Sequence, residues 1–129
     1  MATNVKNSFG RVKKAAKKAE FKNLGHAGAT IRRIASRSIR MGKKPSASGT
    51  PPRTRKGALR KSILYAVDES KGSVIVGPSA DLVGPVGGTH ERGGPFRGGR
   101  YPARPFMVPA LEKVIPQIPE MWRDSIREN

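Results

Sequence analysis

Apolar positions in this chain follow two periods in turn, and the change between them marks its predicted elements. Val5, Phe9, Val12, Ala16 and Ala19 recur at three- and four-residue spacing with Lys13, Lys14, Lys17 and Lys18 among them. That spacing predicts an amphipathic helix over 1–22, which Asn4 or Asn7 can cap. Gly10 weakens it by about 1 kcal/mol relative to alanine. The stripe is narrow and ends in alanines, so the helix is expected to order fully only against a partner. Residues 22–28 read as a break. A stronger helix is predicted over 27–41, with Ala27, Ile31, Ile34, Ala35 and Ser38 on one face and Ile39 at its edge. Arg32, Arg33, Arg37 and Arg40 occupy the other face; Thr30 can cap a late start, and Gly42 ends the helix.

The period then disappears. Residues 42–57, GKKPSASGTPPRTRKG, mix three prolines with small and basic residues and predict an extended loop. A loop this long in a small domain is functional or disordered. From 59 to 67 the pattern becomes alternating, with Leu59, Lys61, Ile63, Tyr65 and Val67 on one parity. This predicts a strand whose apolar face is strongest in its second half. A turn over 68–72 and a second strand over 73–77 complete a hairpin, stopped by Pro78. Residues 79–102 are glycine-rich, with a short strand near Leu82-Val83 or Pro85-Val86 and a loop at 95–102 that would order on assembly.

Pro105 has a fixed φ and no N–H, which suits the entrance to a helix. Phe106 and Ala110, with Met107, Leu111 and Val114, recur at helical spacing beyond it. In a chain with only seven aromatic residues, Phe106 is the expected anchor pinning this helix to the core. Pro116 and Pro119 are expected to break the chain before a last short helix over 120–128, whose contacts would be Met121, Trp122 and Ile126. The predicted fold is α+β: a small antiparallel sheet, the hairpin over 58–77 plus short strands, packed against N-terminal and C-terminal helices with long extended loops. A basic helical arm over 1–25 would precede a single domain over 26–129.

Charge sharpens this picture. The 129 residues carry 26 Lys and Arg against 9 Asp and Glu, a formal charge of +17, and no cysteine. The first 66 residues hold 18 of the basic residues and one acid, Glu20, while the remainder is balanced. A self-repelling solvated arm is the plain reading. A surface for a polyanion or an acidic protein face is the functional one, carried by Arg32, Arg33, Arg37, Arg40, Lys43, Lys44, Arg53 and Arg55. The arginine face of the second helix fits either, since arginine is a good helix former on any solvated surface. The lack of cysteine fits a reducing compartment and excludes disulfides and thiolate chemistry. No apolar run reaches the length of a signal peptide core or a membrane span.

Catalytic signatures are missing from the sequence. His26 and His90 have no second ligand at metal spacing. There is no Gly-x-Ser-x-Gly, no phosphate-cradling loop and no carboxylate pair. No enzyme activity, cofactor or metal is expected. GGPFRGGR, at 93–100, has the composition of an arginine–glycine RNA-binding tract in one short copy, and equally of a flexible contact loop. Trp122 lies far in sequence from the basic region and reads as a core or interface anchor rather than a base-stacking platform.

Three short motifs carry a resemblance. Gly57-Ala58-Leu59-Arg60-Lys61-Ser62-Ile63, then Glu91-Arg92-Gly93-Gly94, then ARPFMVPALEK at 103–113, stand in that order. In that order they resemble the landmarks of the neck and tail-completion proteins of long-tailed bacteriophages, over roughly 26–127. The middle motif departs from the family pattern, with Arg92 in place of an aromatic and Gly94 in place of threonine. The resemblance implies a strand starting at the first motif, a strand-like 88–91 and a structural virion protein assembled in the host cytoplasm. It also implies a homo-oligomeric ring, sixfold or twelvefold, at the head–tail junction. Its neighbours would be head-closure or adaptor, tail-terminator or tail-tube proteins, with non-specific contact to genomic DNA in the channel and none to membrane. Phe106, Met107, Leu111 and Trp122 would then be its core and assembly anchors. Charge alone points elsewhere, to a basic nucleic-acid-binding protein of ribosomal or nucleoid-associated type.

Overall fold

Helix α1, Ala2–Ser38, is the element on which the others pack. The computed structural model describes residues 2–123, with the side chains of 14 and 16–123. The side chains of Val5, Phe9 and Val12 and the 124–128 part of the last predicted helix fall outside those limits; α1 already runs from Ala2, so Asn4 and Asn7 lie inside it and do not cap its start. At 37 residues α1 is roughly 55 Å long. It passes through 22–28 without interruption, correcting the predicted break. Ala19, Asn23, Ala27, Ile31, Ala35 and Ile39 are all buried at a strict four-residue spacing. One seam therefore runs from the basic segment to the end of the helix, and burial along it offsets the low helix propensity of Gly25 and Gly28. Thr30 is inside the helix, and its hydroxyl donates to the His26 carbonyl at 2.8 Å rather than capping a start.

The two glycines play opposite parts. A Cβ at Gly28 would come 2.7 Å from Val74 Cγ2 and 2.8 Å from Tyr65 Cδ2, whereas one at Gly25 would meet nothing within 4 Å. At Gly28 the sheet packs directly on the helix backbone. Gly25→Ala is accordingly expected to stabilise the protein by about 0.5–1 kcal/mol. Gly28→Ala, which ordinary helix propensity would favour equally, should destabilise it by about 1–3 kcal/mol. Denaturant melts of the two variants check this; shifts of the same sign would mean that the sheet does not seat on Gly28.

That sheet is an antiparallel hairpin of β3, Ile63–Asp68, and β4, Ser73–Pro78, in the register Tyr65↔Val76 and Val67↔Val74. The alternating pattern places its strands at 59–67 and 73–77. The first strand starts four residues later because α2, Ala58–Ser62, occupies the motif before it. Ala, Leu, Arg and Lys are good helix formers, and Leu59, Ser62 and Ile63 are buried at the three- and four-residue spacing of one helical face. Ser36 and Arg60 lock this turn to α1: Arg60 Nε donates to the Ser36 carbonyl and the Ser36 hydroxyl to the Arg60 carbonyl, both at 3.1 Å.

The predicted extended loop at 42–57 is fastened at both ends. Strands β1, Arg40–Met41, and β2, Arg53–Thr54, form a short parallel bridge, and Pro52 and Thr54 are buried. In the middle, the Gly49 N–H donates to the Ala103 carbonyl at 2.8 Å and Arg104 Nε to the Ser46 carbonyl at 2.9 Å.

Residues 79–102 depart most from the expectation. The short strand near Leu82 is a helical turn, α3, Ala80–Val83, and the strand-like 88–91 implied by the resemblance lies in helix α4, Val86–Arg92. The 95–102 loop is a hairpin of β5, Gly94–Phe96, and β6, Gly99–Tyr101. Its two-residue turn has positive φ at Arg97, 49°, and Gly98, 78°, the geometry whose twist matches a hairpin. Phe96 and Tyr101 pack edge to face across it, and the Arg97 guanidinium lies 5.2 Å from the Phe96 ring centre.

Helix α5, Met107–Val114, follows, then a 3-10 turn, Ile115–Gln117, and α6, Ile118–Trp122. Pro116 and Pro119 stand in the first turns of these last two elements, where a missing N–H costs nothing, so they start helices rather than break the chain. The core gathers Ile31, Ala35 and Ile39 of the α1 seam with Leu59, Ile63, Phe106, Ala110 and Val114. The architecture is α+β, two small antiparallel hairpins and a parallel bridge packed against helices. Among the described residues no helix is long and apolar enough to cross a membrane.

Candidate assembly surface

The three sequence motifs meet at the start of α5. That helix has no serine, threonine or aspartate at its head; its N-cap is Phe106, with φ −136° and no side-chain cap of its own. The acceptor comes instead from 15 residues upstream. Glu91 Oε1 accepts the N–H groups of Phe106 at 3.0 Å and Met107 at 2.8 Å, and Glu91 Oε2 accepts that of Val108 at 3.2 Å. A carboxylate there satisfies three orphan donors and complements the positive end of the helix dipole. Pro109, next in line, has no N–H to satisfy. The first motif buries Leu59 and Ile63 in the cluster that holds Phe106 and Ala110.

One consequence is a rigid link between α4 and the arm that leads into α5. The Arg104 N–H donates to the His90 carbonyl at 2.6 Å while its side chain reaches Ser46. His90 Nδ1 is buried without a hydrogen-bond partner. Burial, and after it the charge of Arg104, hold the His90 pKa below its usual value, so the ring stays neutral at pH 7. At the other hairpin, Asp68 Oδ1 closes the turn through the Ser70 hydroxyl at 2.6 Å and the N–H groups of Ser70 and Lys71. These bonds, the Ser70 hydroxyl first and the Lys71 N–H next, hold its carboxyl below the ordinary carboxylate range.

The outward face of the β3–β4 hairpin is apolar. Tyr65 and Val74 lie over Gly28 of α1, so the alternate positions Leu64, Ala66 and Ile75 face away from it. Leu64 is 46% exposed and Ile75 67%. Each strand pairs only with the other among the described residues, so no third strand covers the edges beside that apolar face, although Arg32 of α1 takes the outer Ile63 carbonyl.

The residues singled out in the sequence separate into groups. Phe106 is fully buried and Met107 packs against the core at its margin. Leu111, 41% exposed, and Trp122, 36% exposed, are not core anchors. The helix turns Ala110 and Val114 inward instead, four residues apart, and Leu111 falls beside that seam. Arg32, read as facing a partner or DNA, uses its Nε to hold the Ile63 carbonyl at 2.7 Å where β3 begins. Arg33, Lys43, Lys44 and Arg55 are exposed, and Arg37, Arg40 and Arg53 converge on one groove. Sequence pattern gives Glu91 and Arg104 no such roles. The one available signal is a helix start such as PFMVPALEK, whose lack of a local capping residue means that an acceptor must arrive from elsewhere. Among the described residues no cluster of three His, Asp or Glu side chains could hold a metal ion. Comparison with protein-family models, with curated proteins and with solved structures gave no match.

Proposed function

We propose that this chain is a structural subunit of a tailed-phage neck, assembling as a closed ring that joins the DNA-filled head to the tail. The observation that carries the reading is the meeting of the three resembling motifs in one structural unit. The Glu91 carboxylate holds the ARPF segment by its backbone, and the residues of the first motif share its core. The departures within the middle motif spare Glu91, the residue that makes the contact.

A ring subunit also needs surface that its own fold does not cover. The exposed Leu64–Ala66–Ile75 face, beside edges that no third strand covers among the described residues, offers apolar area and backbone without a strand partner together. Closed rings join unlike faces, so this face would meet a different surface of the next copy or of a neighbouring neck or tail protein. Mass spectrometry of purified particles tests the assignment: the chain should be a stoichiometric virion component, and its absence would remove the neck reading. The surface has its own test. Leu64→Ser with Ile75→Ser should change subunit stability by no more than about 0.5 kcal/mol per site while abolishing incorporation. Wild-type incorporation of that double variant would move the interface elsewhere.

A further inference from the structure

Arg37, Arg40, Arg53 and Lys113 line a single groove of about 710 Å³, and no carboxylate lines it with them. They arrive from four places: the last turn of α1, β1, β2 and the last turn of α5. Arg37 and Lys113 have an intrinsic reason to be there, since cations stabilise the negative ends of the helices they finish. Arg40 and Arg53 have none. They are direct partners in the parallel bridge, an arrangement in which like charges destabilise. The stem of Arg53 passes over Gly42, its Cδ 3.0 Å from where a Cβ there would stand, so the glycine leaves room for it. The fold therefore brings a repelling pair together on a concave, acid-free surface.

We propose that this groove binds the phosphodiester backbone of nucleic acid. Guanidinium groups pair with phosphate oxygens through two parallel bonds, which suits three arginines converging on one cleft. Exposed Lys43, Lys44, Arg55 and Lys56 stand on the chain leaving β1 and β2, extending the positive field past a single anionic group into a track. An acidic peptide would need apolar anchor sites as well. Of its lining side chains only Ile34, Pro51 and Pro52 are apolar, the first two half-buried and the third buried, and none is aromatic. The groove's cations would meet the backbone only, so binding would be independent of base sequence. This inference does not rest on the neck reading: a chain missing from virions would leave it standing, and a groove that ignores DNA would leave the ring.

The test is fluorescence anisotropy with a short duplex DNA at several salt concentrations around physiological ionic strength. It compares the wild type, a groove variant R40S/R53S/K113S, and an equal-charge control K14S/K17S/K18S on the exposed part of α1. The groove variant should lose affinity by about tenfold or more and flatten the log–log salt dependence by about 0.9 for each phosphate it no longer neutralises. The control should lose far less. R53S alone should weaken DNA binding with an unchanged or raised melting temperature, since it removes one of two repelling charges; this keeps the test decisive if the triple variant folds poorly. Equal losses in groove variant and control would replace the groove with a diffuse field. Displacement of the DNA by a polyglutamate peptide of matched charge at equal concentration would assign the groove to an acidic protein segment. Either result overturns the proposal.

Discussion

Phe106→Ala is expected to lower the stability of the subunit by about 3–5 kcal/mol. Phe106 has no exposed surface and sits among Ile31, Ala35, Ile39, Leu59, Ile63, Ala110 and Val114. Its removal would open a cavity facing three segments at once, the α1 seam, the first motif and α5. None of these can move in to fill it without giving up its own packing against the others. Small domains have about 5–15 kcal/mol in total, so the variant would be close to unfolding at room temperature. Thermal denaturation should show a midpoint lower by about 10–20 °C. Leu111→Ala, beside Ala110 in sequence but on the solvent side of α5, should shift it little, within about 1 kcal/mol. A Phe106→Ala protein with an unshifted, cooperative melt would show that the C-terminal helix is not pinned through this ring.

The second large effect belongs to Glu91. Glu91→Ala would leave the N–H groups of Phe106, Met107 and Val108 without their acceptor. The expected cost is about 2–3 kcal/mol, above that of an ordinary cap because the bonds are charge-assisted and two donors are partly shielded from water. Glu91→Gln keeps one oxygen and should cost about half as much. Chemical denaturation gives the energies, and amide exchange gives the location: protection should fall first at 106–108. A loss spread evenly over the chain would mean that Glu91 acts on overall charge and not on the helix end. Water entering the vacated site would moderate the loss at Val108, which is already exposed.

Several features can be read from local pattern alone. The 27–38 part of α1 and the β3–β4 hairpin are legible because each repeats its own period over enough residues to determine a face, whereas the predicted continuation of the helix to 41 gives way to β1 at Arg40. Phe106 stands out as a large ring at helical spacing from Ala110 in a chain poor in aromatics. The continuity of α1 is hidden because its seam at 19–27 consists of Ala19, Asn23 and Ala27, and two alanines and an asparagine give no hydrophobic signal. The Gly28 contact is also silent in sequence: a helical glycine reads as weakness until the sheet that needs it is in place. Helix α2 is not legible because an alternating pattern and a one-turn helix both fit so short a stretch, and only burial of Ser62 beside Leu59 decides between them.

The sequence by itself determined the charge asymmetry, the helical character of both ends, the hairpin and the identity of the central aromatic anchor. These follow from composition and short-range periodicity, which do not depend on where the chain goes next. Tertiary structure decided the rest. It turned 86–92 into a helix that carries Glu91 to the head of α5, and set Arg32 against the Ile63 carbonyl. It also brought Arg40 and Arg53 side by side across the loop between them and added Lys113 from near the far end of the chain. The physical reason is common to all of these: a carboxylate cap, a guanidinium clamp and a charged groove are each made by partners distant in sequence. Their residues obey no local period, and only closing the loops between them reveals what they do.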